Sequence, residues 1–160
     1  MHTAAHKNDI VFADTAAGYM IDNKQDREIS TFVRNQFPAM RATVHPASVL
    51  RSSETPRYNC HGMVFASRRT NITKHQQVFR ILAEDDYRLV DESDLIPGDV
   101  AVYLSELGEV EHSAIVTSVG DGVLRDVTVV SKWGCYGEYL HPLRACPYAT
   151  SLVRYYRVTP

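Results

Sequence analysis

The chain has 160 residues, 44% hydrophobic and 22% charged, with seventeen Lys and Arg against nineteen Asp and Glu for a net charge of -2. That balance excludes a disordered chain, an acidic solvating tail and the basic surface that nucleic acid requires. Its apolar runs are only a few residues long, which excludes a membrane-spanning helix.

The length suits a single domain over 1–160, large enough to fold around its own core without a disulfide or a metal. No internal repeat, low-complexity segment or Gly/Ser linker divides it. The opening run MHTAAHKNDI lacks the basic and then apolar pattern of a signal peptide. That leaves the location open between the cytoplasm and export by a non-Sec route. Residues 1–40 read as an N-terminal extension that packs on the domain, on or near the cleft, or covers that cleft.

In chain order, Asp9–Asp14 predicts a short strand or extended arm. Asp26–Gln36 places Ile29, Phe32 and Val33 at helical spacing, with Pro38 expected to end the helix. Arg41–Tyr58 reads as irregular, broken by Pro46 and Pro56. Asn59 is a favoured N-cap, and the helix it opens is predicted over Cys60–Arg69. His75–Glu84 places Val78, Ile81 and Leu82 on one face. Strands are then expected at Tyr87–Val90, Val100–Leu104 and Val110–Val119. Gly120-Asp121-Gly122 is a hairpin turn signal, followed by strand over Val123–Ser131. Leu152–Val158 alternates as a closing strand. Helices first and an antiparallel sheet second predict an α+β fold.

Three cysteines are too few for a disulfide scaffold. Cys135 and Cys146 pair only if the protein reaches an oxidising compartment, and Cys60 is then left over. Cys60 stands at the predicted helix start, among unpaired backbone N–H groups and the positive end of the dipole. Both lower a thiol's pKa, and the same N–H groups suit an oxyanion. His112 opens an apolar strand and is the candidate general base and acid. The opposing reading is that Cys60 is a small buried hydrophobe.

Asn59-Cys60-His61-Gly62, Pro97-Gly98-Asp99 and His112-Ser113-Ala114-Ile115, in that order, resemble the NlpC/P60 and CHAP group of papain-like cysteine peptidases and amidases. The resemblance spans roughly residues 55 to 135. It implies a papain-like fold in which a helix carrying Cys60 packs on the sheet, with Cys60 as nucleophile and His112 as its partner. It also implies a third polar residue one strand later that orients the imidazole. Asp126 is the candidate for that place, Thr128 and Ser131 are weaker ones, and charged Lys132 accepts no hydrogen bond.

Around this pair, His61 points about 100° away from Cys60 on a helix and is expected to line the cleft or cap the helix end. Tyr58 either donates to a developing oxyanion or is a half-buried loop residue. Trp133, with Tyr139, His141 and Tyr148, forms either a substrate wall or a satellite cluster under a loop. Cys135, His141 and Cys146 have the wrong spacing for zinc, and no phosphate loop or serine elbow is present, so no cofactor or metal is expected.

The function that the resemblance implies is amide-bond hydrolysis through a thioester, on a peptide or a bacterial cell-wall stem peptide. An inhibitor or immunity protein is a possible partner. The alternatives are a catalytically inactive binding module, or an acyltransferase or deamidase acting on a protein.

Overall fold

The computed structural model describes residues 10–121, 126–148 and 152–159. Its elements run α1 (Thr31–Ala42), β1 (Val49–Ser52), α2 (Cys60–Phe65), α3 (His75–Glu84), β2 (Tyr87–Val90), β3 (Val100–Leu104), β4 (Val110–Val119), β5 (Val127–Lys132), β6 (Glu138–Pro142) and β7 (Leu152–Val158). The seven strands form one sheet in the order β1-β6-β5-β4-β3-β7-β2, with every recorded pair antiparallel. The fold is therefore α+β, with few helices. Among the described residues no helix is long and apolar enough to cross a membrane.

Strand alternation divides the core between the two faces of the sheet. Val100, Val102 and Leu104 of β3 face Ile72 and the Val78, Ile81 and Leu82 stripe of α3. Ala101 and Tyr103 turn the other way, onto Ala114, Val116, Val127, Val129, Leu143 and Tyr155. Each buried aliphatic side chain of these layers contributes about 1.5–3 kcal/mol. The connection after β6 folds back across the second face, where the Tyr103 hydroxyl donates to Leu143 O at 2.6 Å.

The Pro97-Gly98-Asp99 turn anchors the fold. Asp99 is buried and accepts from Arg157 Nε at 2.7 Å, Arg157 Nη2 at 2.8 Å and Ile96 N at 2.9 Å. This joins the start of β3 to the end of β7.

Several expectations give way. Helix α1 starts later, at the Ser30 cap, and runs through Pro38 to Ala42. Pro38 removes one N–H, and the next turn still forms on this largely exposed helix. Helix α2 stops at Phe65 because Ser67 and Arg68 adopt left-handed backbone, φ +50° and +63°. The Arg41–Tyr58 stretch contains edge strand β1, and part of the aromatic region after Trp133 is strand β6. Asp14 forms only an isolated bridge, to Met20. Gly122 and Val123–Arg125 lie outside the described residues.

The N-terminal extension packs mainly on α3. Ile21 joins the helix-side core, Asp22 N donates to Gln77 Oε1, and Lys24 bridges Asn71. Helix α1 sits further along, where Phe37 meets Tyr136 edge-on at 5.0 Å. That places it beside the turn that carries Cys135.

Candidate functional site

Helix α2 starts at Cys60 because Asn59 caps it. Asn59 Oδ1 accepts from Gly62 N at 2.9 Å and from Ile72 N at 3.1 Å, while its Nδ2 donates to Ile72 O at 2.7 Å. One side chain thus caps the helix and staples it to the next segment. Gly62 is required by close approach: a Cβ there would lie 1.6 Å from Thr70 O. Met63 N goes to Asn59 O. The N–H groups of Cys60 and His61 lie beside the thiol.

Cys60 is 7% exposed. Burial pushes its thiol up to about 11, against the opposing pull of the Ser113 N–H, the His61 and Cys60 N–H groups and the Ser113 hydroxyl. The expectation of a depressed pKa is therefore reversed. The helix has only six residues, and its N–H groups do not offset the loss of water.

The thiol lies against Ser113 on the face of the sheet that α2 covers, whereas His112 pairs with Tyr103 and turns with it to the opposite face, so the thiol does not hydrogen-bond the imidazole. His112 is fully buried, and neither ring nitrogen has a hydrogen-bond partner among the described residues. Its ring stacks on Tyr148 at 4.3 Å and tilts against Tyr103 at 5.2 Å. Burial holds it well below the ordinary imidazole range, and His61 and His141 add to that. Burial raises the Tyr148 hydroxyl, and the charge of a Cys60 thiolate adds to that.

His61 is buried, with Nδ1 2.9 Å from Ser113 Oγ, so it ties α2 to β4 and does not cap the helix. Burial lowers it to about 4. A neutral His61 protonated on Nδ1 donates to Ser113 Oγ, which leaves the hydroxyl proton for the Cys60 sulfur.

Tyr58 does not hold its proton ready for an oxyanion. Its hydroxyl donates to Glu138 Oε1 at 2.8 Å, and Glu138 also accepts from Arg68 Nε at 2.6 Å and Nη2 at 3.1 Å. The carboxylate is buried, so this network locks both ends of α2 to β6.

Asp126 does not join the pair. It is exposed, beside Val127 at the hairpin end of β5, and lines a cleft of about 500 Å³ with Glu92, Thr128, Leu143 and Arg144. The β4–β5 ladder runs from Val119↔Val127 to Ile115↔Val130, so Asp126 lies at the far end from His112. Separation in sequence does not say which end of a hairpin a residue occupies.

Ser131 is closer but already committed. Trp133 Nε1–H donates to Ser131 Oγ at 3.0 Å, and Ser131 Oγ lies 2.7 Å from His141 Nε2. His141 Nδ1 lies 2.8 Å from Pro142 O, a carbonyl that only accepts. The Nδ1 proton is therefore donated there, and Nε2 takes the serine proton. Trp133 is 2% exposed and stacks on Tyr139 at 4.1 Å. It belongs to a buried cluster and also lines a groove of about 450 Å³ formed with Thr43–Pro46 and Arg144–Pro147. The end of that groove is next in sequence to Tyr148.

The residue that sequence reasoning passed over is Lys132. It is fully buried at the end of β5, with Nζ donating to Thr55 O at 3.0 Å and to Gly134 O, and lying 5.3 Å from the Tyr58 ring centroid. Burial pulls it down to about 8, although Cys135, Glu138 and Cys60 favour its charge. Strand alternation gave no signal, because Lys132 lies one residue past the predicted strand and shares a face with the half-buried Thr128 and Val130.

All three cysteines are free thiols. Among the described residues no group of three His, Cys, Asp or Glu side chains is placed to hold a metal. Set against family models, curated proteins and solved structures, the chain matches none of them.

Proposed function

We propose that the protein is a cysteine hydrolase of the papain-like kind, cleaving an amide bond with Cys60 as nucleophile and His112 as general base and acid. The observation that carries this reading is the start of α2. A capped helix presents a thiol to Ser113, and the next residue back, turned to the other face of β4, is a buried imidazole whose two nitrogens have no hydrogen-bond partner among the described residues. A helix bearing the thiol, packed on an antiparallel sheet that bears the imidazole, supports the papain-like comparison.

With His112 neutral, burial keeps the thiol protonated. Because His112 turns to the face of β4 opposite α2, the transfer requires the imidazole to swing toward the thiol. Once the proton is on His112, the opposite charges stabilise one another where little water screens them, so the two groups titrate as a pair. The thiolate then attacks the carbonyl, and the oxyanion is met by the N–H groups of Cys60 and His61. The C–N bond breaks, the amine takes the proton from His112, and water hydrolyses the thioester to regenerate the thiol. The rings of Tyr103 and Tyr148 hold the imidazole in the place of a third polar residue. The groove ending beside Tyr148 offers a path for a peptide. A cell-wall stem peptide is the substrate class that the resemblance suggests.

A second reading, a binding module with a silent cleft, is favoured by the depth of Cys60 and by the missing Cys60–His112 hydrogen bond. Site-resolved iodoacetamide labelling against pH separates the two, with Cys135 and Cys146 as references. The hydrolase reading expects Cys60 to react near neutral pH, and His112→Ala to move that reaction toward pH 11. Labelling of Cys60 no faster than the references, or unchanged in His112→Ala, overturns it.

A further inference from the structure

We infer that Lys132 is the fixed positive charge that drives ionisation of Cys60. The inference rests on the reading of Cys60 as a nucleophile and adds to it a positive charge that is present before any proton reaches His112.

The geometry begins with the two strands that receive α2. The helix packs on both β4 and β5. Its first residue, Cys60, lies against Ser113 of β4, while Tyr58, two residues earlier, places its ring by the Lys132 ammonium at the end of β5. Thr55 O and Gly134 O take two of the three ammonium protons, so the charge is anchored and one N–H direction remains. A buried ammonium is expensive unless its charge is used or balanced. Lys132 has no carboxylate within ion-pair distance among the described residues. The nearby Glu138 carboxylate is held by Arg68 in a bidentate pair and by Tyr58.

The groups facing Lys132 are therefore Tyr58 and Cys60 ahead of and on α2, Cys135 in the following turn, and Glu138 on β6 with its partner Arg68. His61 faces the same region through Ser113. With Tyr58 and both thiols neutral, Lys132 and Arg68 outweigh Glu138 by one positive charge. A thiolate at Cys135 or at Cys60 neutralises that excess, and the β4–β5 register, continued from Ile115↔Val130, sets Ser113, against which the Cys60 sulfur lies, opposite Lys132. Tying two loops together needs only donors and would not require the charge to sit beside a thiol. Burial pulls the ammonium down to about 8, so its help should fade above that pH.

The test compares the labelling rates of Cys60 by anionic iodoacetate and by neutral iodoacetamide in the full chain, with Cys146 as the reference. A nearby positive charge favours the anionic reagent. In the wild type the iodoacetate to iodoacetamide ratio should be several-fold higher at Cys60 than at Cys146. Lys132→Met should lower it several-fold and raise the pH at which Cys60 begins to react by about one unit, a tenfold loss of thiolate at fixed pH. In the wild type the ratio should itself fall as pH rises through about 8, where the ammonium loses its proton, which keeps the test decisive if Lys132→Met does not fold. A ratio that does not change with pH in the wild type or with Lys132→Met, with Cys60 still reactive and dependent on His112, overturns the role of Lys132 alone. A Cys60 that neither reagent labels in the native protein overturns the nucleophile reading and this inference together.

Discussion

Ser113 Oγ stands 2.9 Å from His61 Nδ1, and the same hydroxyl lies against the Cys60 sulfur. One serine on β4 therefore fixes two neighbouring side chains of α2. Ser113→Ala should leave the buried His61 Nδ1 without a partner and lower stability by about 1–3 kcal/mol, read as a shift in the urea midpoint. It should also slow Cys60 labelling, because a donor that favours the thiolate is lost. Unchanged stability would show that the hydroxyl is not bonded to His61 in solution.

Acid should destabilise the protein through its buried imidazoles. Burial lowers His61 to about 4, and it lowers His112 and His141 too, although the Pro142 carbonyl opposes the shift at His141. In the unfolded chain each titrates near 6.5, so the unfolded state binds more protons between that pH and the folded values. The stability they contribute is fully present above about pH 6.5 and is lost as pH falls toward 4. His61 alone accounts for about 1.4 kcal/mol per pH unit across that window. Urea midpoints measured from pH 7 to pH 4.5 should fall steadily, and His61→Gln should flatten the slope. A flat profile in the wild type would mean that these rings are not buried neutral.

The parts of the fold legible in the sequence are those whose side-chain spacing reflects burial. Val78, Ile81 and Leu82 mark α3, while the continuous apolar run of β3, the β-rich run of β4 and the alternation of β7 mark those strands. Strand β1 was hidden because Val49 and Leu50 are exposed at a sheet edge, so no alternation is imposed on them. Strand β6 was hidden because its inward positions include Glu138 and His141, polar groups made tolerable by Arg68, Tyr58 and Ser131. The site divides the same way. Asn59 and Cys60 are readable because capping is local chemistry. Ser113, Lys132 and Glu138 are not, because their roles arise from elements distant in sequence, and an isolated Lys or Glu reads as a solvated charge.

Gly62 offers a local steric test. A methyl at its Cβ position would collide with the Thr70 carbonyl, which is backbone and cannot swing aside. Gly62→Ala should therefore cost about 3 kcal/mol, at the upper end for overpacking, and should push α2 away from the segment that follows it. The displacement would move Cys60, so its labelling should change along with thermal stability. A variant as stable as the wild type would show that α2 and Thr70 are further apart than the structure places them.

Asp99 separates a fold anchor from a catalytic group. Its burial works to raise the carboxyl pKa, but Arg157 and the Ile96 N–H outweigh this and hold it below the usual range. A carboxylate with a depressed folded pKa contributes stability that is present above its unfolded pKa, near 3.9, and is lost as pH falls through the folded value. Asp99→Asn keeps the shape but removes the charge that Arg157 grips with two N–H groups. The melting temperature should fall by several degrees at pH 7, and the difference from wild type should shrink in strong acid. Labelling of Cys60 in the folded variant should keep its wild-type rate and its dependence on His112, because this turn lies at the β3–β7 junction, away from the start of α2. A selective loss of Cys60 reactivity without a loss of stability would instead place Asp99 in the chemistry of the thiol.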